Sequence, residues 1–135
     1  MSVVPNELLA RLVGARLYSV ELGVDHVQLR FENDESFHMP FLSLDCMPVV
    51  SRDGTAYWSA DTGYADALRA LLGDEVTATA EEPGRGLRVE LGGGWIGVDP
   101  SADELVGDEI ATLAGFDDGS TRVWRPGEDT FAGLS

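Results

Sequence analysis

The chain has no lysine, one cysteine and two histidines among its 135 residues. A single cysteine, Cys46, excludes an internal disulfide framework and fits a reducing, cytoplasmic compartment. His26 and His38 have no ligand neighbours at a spacing such as Cys-x-x-Cys, so no metal and no cofactor are expected. No apolar run approaches the ~20 residues that a membrane-spanning helix needs. The segment Met1 to Glu7 lacks the basic-then-apolar order of a secretory leader, and no such leader is expected.

Positive charge is also scarce. Nine basic residues, all arginine, stand against 24 acidic ones and leave a formal charge of −15. Affinity for nucleic acid comes largely from cationic side chains that displace counterions, so neither nucleic acid nor an anionic membrane is an expected partner. A basic protein would be steered toward such a field. The simpler reading is that the acidity serves solubility.

What the chain does have is internal similarity. Leu12-Val13-Gly14-Ala15-Arg16-Leu17 is echoed by Leu71-Leu72-Gly73-Asp74-Glu75-Val76, and Val27 to Glu32 by Leu87 to Leu91. A period of about 60 residues is too long for most solenoid repeats and short for two independent domains. The expectation is one domain over 1–135, with related halves over about 6–60 and 64–127 and an irregular tail over 128–135.

Each half reads as a helix followed by strands. Asn6 is an N-cap candidate and Gly14 a C′ residue for a first helix, and Ala67 to Leu72 with Gly73 make the second. Val27, Leu29 and Phe31 alternate with Gln28, Arg30 and Glu32, as expected of a half-buried strand, and Phe37 with Met39 resumes the apolar face. In the second half Val76 starts a strand, Leu87, Val89 and Leu91 alternate inward, and Ile96 and Val98 return after a glycine turn. The expected core joins these to Leu17. Two later hairpins are expected, at Val49 to Trp58 around Asp53-Gly54 and at Ala111 to Trp124 around 117–120. The fold class is α+β: two pseudo-symmetric halves, each a helix plus an antiparallel meander, forming one curved or barrel-like sheet with two helices.

Chemistry is harder to find. Cys46 could pair with His38, but a lone apolar-flanked cysteine reads as a small buried hydrophobe. Gly92-Gly93-Gly94 lies between two strands, so it is a turn and not a phosphate cradle. No two carboxylates are pinned across a cleft in the manner of a glycosidase, and the regular calcium loop is absent. No catalytic residue is assigned. Asp99, Asp103, Glu104, Asp108 and Glu109 form the densest acidic stretch, joined by Asp117 and Asp118. These are read as a solvated face or, more sharply, as a docking surface for a basic partner, anchored by Tyr57, Trp58 or Trp124.

Leu87 to Leu91 with its glycine turn, Val98-Asp99-Pro100, Glu109 to Phe116 and the Trp-x-Pro-Gly close at Trp124 to Gly127 together resemble a family of small acidic actinobacterial proteins known as a domain of unknown function. The resemblance covers the second half well and the first half loosely, and it brings no activity with it. In size and charge the chain is similar to immunity proteins that neutralise bacterial toxins. The leading expectation is therefore a non-enzymatic cytoplasmic module that binds a basic protein. The alternatives are a small-molecule binder or enzyme with a pocket between the halves, and a homodimer formed by edge strands.

Overall fold

A computed structural model describes residues 4–34 and 39–134; Phe37 and His38 lie outside the described residues. The chain begins with a 3-10 turn at Leu9–Leu12 that buries Leu9 and Leu12. An α-helical first element was expected, with Asn6 as its cap. Asn6 instead sits at φ 67° and is committed elsewhere. Its backbone N–H donates to Glu81 Oε1 at 2.8 Å, and its side-chain oxygen accepts from the Thr79 hydroxyl at 2.7 Å. A residue held this way cannot offer its side chain to the helix N–H groups, and only a short, tight turn forms.

Strands β1 (Arg16–Leu22), β2 (Val27–Glu32) and β3 (Phe41–Leu44) follow as a meander. The return strand begins at Phe41, later than the expected Phe37 and Met39; Met39 is exposed and Leu42 and Leu44 carry the buried face. Pro40 has no N–H to donate to a ladder, so it precedes the strand, and its carbonyl accepts from Phe31 N at 2.9 Å. The β4 (Val49–Arg52) and β5 (Thr55–Tyr57) hairpin turns at Asp53-Gly54, whose φ values of 52° and 83° suit a tight primed turn. Helix α1 (Tyr64–Ala70) ends ahead of Gly73, at φ 87°. A second meander, β6 (Val76–Glu82), β7 (Gly86–Leu91) and β8 (Gly94–Val98), precedes a final hairpin of β9 (Ala111–Ala114) and β10 (Arg122–Trp124).

Among the described residues the ten strands divide between two open antiparallel sheets, not the single curved or barrel-like sheet expected. The first has the order β1-β2-β3-β9-β10 and the second β5-β4-β8-β7-β6. Each meander thus receives the hairpin that follows the other. The sheets meet where β1 and β6 start, at an antiparallel bridge between Arg16 and Glu75. Gly14 N donates to Val76 O and Gly73 N to Leu17 O; Leu17 N donates to Asp74 O and Val76 N to Ala15 O. Both β1/β2 and β6/β7 shift register just past these contacts, at Leu17/Ser19 and Val76/Ala78.

The alternating residues become one interior. Val27, Leu29 and Phe31 are fully buried, as are Leu17 and Val76, and Leu87, Val89, Leu91, Ile96 and Val98 are at most 5% exposed. Each such side chain contributes roughly 1.5–3 kcal/mol by leaving water. The segment from 128, expected as an irregular tail, forms 3-10 turns at Asp129–Leu134 and buries Thr130 and Phe131. Those turns cover Glu81 on β6. Glu81 Oε1 accepts from Asn6 N and Arg122 Nη1, and its Oε2 accepts from Trp124 Nε1 at 3.0 Å and the Thr130 hydroxyl. A buried carboxylate is tolerated because every donor around it is used.

Candidate functional site

The acidic stretch forms the connection from β8 in one sheet to β9 in the other. Ser101 and Glu104 close a capping box over the 3-10 turn Ala102–Glu104, which holds Asp103 outward. Asp99 and Asp108 are exposed and Glu109 is half-buried, with its Oε2 accepting from Arg125 Nη2 at 3.3 Å.

This connection lies against the β1–β2 turn. Asp108 and Glu109 line an open groove of about 570 Å³ together with Asp25, His26, Asp45 and Arg125. Asp45, at the end of β3, has its pKa raised, first by burial and then by the nearby Glu109 carboxylate, with His26 opposing. Asp99, at the end of β8, is raised by burial and by Glu104, with Arg85 opposing. Within the groove, Asp45 is therefore a carboxylate that is poorly solvated and repelled by Glu109, and an incoming cation would relieve both costs. Asp25 and Asp45 were not singled out in the sequence. Each is an isolated acid far in sequence from Asp108. The pairing of β3 with β9, extended by Asp45 N donating to Ile110 O, sets Asp45 beside Glu109, and the packing of the β1–β2 turn adds Asp25.

The remaining candidates are placed elsewhere. Asp118 caps the β9–β10 turn through Ser120 N and pairs with Arg11 Nη1, both at 2.9 Å. Its pKa is lowered to about 2, chiefly by the Ser120 backbone bond. Asp117 and Asp118 line a separate hollow with Arg11 and Phe116. Tyr57 is half-buried on the edge strand β5, and Trp58 beside it is 56% exposed, with its backbone N–H donating to Asp61 Oδ2. Trp124 is not the surface anchor expected of it. It is fully buried, because its indole N–H is drawn onto Glu81 beneath the last turns of the chain.

Cys46 is 2% exposed, and burial pushes its thiol up to about 12, so it is no thiolate near neutral pH. Among the described residues no group of three or more His, Cys, Asp or Glu is placed to hold a metal ion. No described helix is long and apolar enough to cross a membrane. Between the sheets, the space bounded by Leu42, Leu44, Leu87, Val89, Ile96 and Val98 amounts to about 10 Å³, too little for a small ligand. No family model, curated protein or solved structure matches the chain.

Proposed function

We propose that the protein is a non-enzymatic binding module whose acidic groove engages a basic protein. The observation that carries this reading is the convergence of Asp25, Asp45, Asp108 and Glu109 in one open groove, with Asp45 destabilised as a carboxylate by its surroundings. A lysine or arginine from a partner would lower the energy of that group, and the net charge of −15 would speed the encounter. The closely filled space between the sheets favours this reading over a ligand pocket between the halves. The lone buried thiol is compatible with a cytoplasmic setting, and the analogy in size and charge with immunity proteins is in keeping with a protein-binding role.

The experiment is affinity capture from the source organism at low and high salt, with wild type beside a doubly substituted Asp45→Asn/Asp108→Asn protein. A cationic protein held at low salt, released at high salt and lost with the variant is the expected result. No salt-sensitive partner, or equal capture by the variant, overturns the reading.

We further infer that the two halves descend from one duplicated unit. Three features support this: the paired hydrogen bonds around Arg16 and Glu75, whose members stand 59 residues apart; the matching register shifts; and the same strand sequence in each sheet, three meander strands followed by the other half's hairpin. Asp45 and Asp99 then occupy equivalent places, each ending the third strand of its half.

A further inference from the structure

We infer that the outer face of the second sheet carries a binding site for a basic α-amino acid, with its carboxylate on Arg88, its side-chain cation on Glu90 and its α-ammonium on the side of Asp99. Arg88 lies near the middle of β7 and is exposed, on the face opposite the core. Its cross-strand neighbours are Ala80 on β6 and Gly97 on β8, two of the smallest side chains. Their smallness opens a bay of about 550 Å³ around the guanidinium, within the ~300–1,000 Å³ of small-molecule sites.

Trp95 forms one wall. A Cβ on Gly97 would come within 3.2 Å of its ring, so the glycine is what lets the indole lie along the strand. The Arg88 guanidinium stacks 3.8 Å from the ring centroid. Stacking fixes the guanidinium plane and leaves its N–H edge free to meet a carboxylate in two parallel bonds. Among the described residues no carboxylate lies within ion-pair distance of Arg88; Arg30 and Arg69 likewise have none, whereas Arg11, Arg16, Arg52, Arg85, Arg122 and Arg125 each have at least one.

Charge then selects the ligand. At the rim, Arg85 is paired with Glu82 at 3.6 Å. That leaves Arg88 flanked by Glu90 on one side and by Asp99, which lies beside Gly86, on the other, a balance of −1 that suits a ligand with one carboxylate and two separate cationic centres. A simple carboxylate would be repelled by Glu90 and Asp99, and a diamine would leave Arg88 unopposed. Glu90 is two residues from Arg88 on the same face, roughly 6.6–6.8 Å along the strand. That separation fits the extended side chain of arginine or lysine better than the short span of glycine.

The test is a titration with L-arginine, followed through the Trp95 indole N–H in ¹H–¹⁵N spectra. A saturable shift with an affinity of about 1–10 mM is expected for a ligand of this size in an open site. Agmatine, which lacks the carboxylate, and glycine, which lacks the side-chain cation, should bind at least about tenfold more weakly, the loss of one charged contact. Arg88→Gln should abolish the shift while the melting temperature stays near wild type, since the side chain is exposed. No saturation with L-arginine, an unchanged titration in Arg88→Gln, or equal binding of agmatine overturns the inference. The bay shares no residue with the acidic groove, so Asp45→Asn/Asp108→Asn leaves this titration intact and the two proposals fail separately.

Discussion

Replacing Glu81 with glutamine keeps the shape of the side chain and changes only what its two terminal atoms can do. In the native protein both oxygens accept: Oε1 from Asn6 N and Arg122 Nη1, Oε2 from Trp124 Nε1 and the Thr130 hydroxyl. Glutamine has one oxygen and one NH₂ group. If the oxygen stays with Asn6 and Arg122, the NH₂ faces two donors. The Thr130 hydroxyl can rotate and accept, but the indole N–H of Trp124 cannot. An unsatisfied buried donor costs about 1–3 kcal/mol. Arg122 also loses its charge partner while its side chain is only 13% exposed. Breaking one side of a buried pair costs about 3–5 kcal/mol in total. At this chain length each kcal/mol lowers the melting point by roughly 3–5 °C, so Glu81→Gln should melt about 10–25 °C below wild type. Far-UV circular dichroism would follow the transition, and the fluorescence of Trp124 should report loosening around it. Melting within about 2 °C of wild type would refute the claim that this carboxylate holds the amino-terminal turn, β10 and the final turns onto β6.

Leu29→Asp and Val89→Asp should each unfold the protein at room temperature, because both put an unpaired charge in a position at most 1% exposed; cooperative wild-type-like melting of either would contradict the strand phasing. Gly86→Ala should cost about 1–3 kcal/mol or more, since Gly86 sits at φ 102° and a Cβ there would overlap the Val98 carbonyl oxygen; urea denaturation measures it, and an unchanged midpoint would exclude the close approach of β7 to β8. The Asp118 pKa is lower in the folded protein than its ordinary value of 3.8, so its stabilising contribution is present above that value and is lost as the pH falls through about 2. Asp118→Asn should therefore flatten the stability profile in that window and leave its shape at higher pH unchanged; an identical slope in variant and wild type below pH 3.8 would remove Asp118 from the account.

The strands were legible because their apolar residues alternate. Val27, Leu29 and Phe31, or Leu87, Val89 and Leu91, can hide together only on one face of an extended chain, and that rule needs no knowledge of what lies opposite. The turns at Asp53-Gly54, Gly73 and Gly14 were legible for a similar reason, as their backbone takes positive φ that few residues accept. The candidate site was read only in part. Asp108 and Glu109 stood out as members of a dense acidic run, while Asp25 and Asp45 carry no local mark. Arg88 and Trp95 looked like ordinary strand residues, since nothing near them in sequence records that Ala80 and Gly97 leave space around them.

Local pattern alone thus determined most of the strands, their turns and the faces that go inward, because periodicity and turn chemistry act over a few residues, whereas the 3-10 form of the first and last elements was set by contacts to β6. The partnering of distant elements was decided in three dimensions. The exchange of hairpins between the sheets depends on which strand edges meet after the chain leaves Leu44 and Val98. Trp124 went inside because a carboxylate 43 residues earlier needed a donor. Asp45 and Glu109 became neighbours because β3 and β9, which pair Leu44 with Ala111, lie side by side in the first sheet. Burial and charge pairing at such meeting points depend on distances that no stretch of sequence encodes by itself.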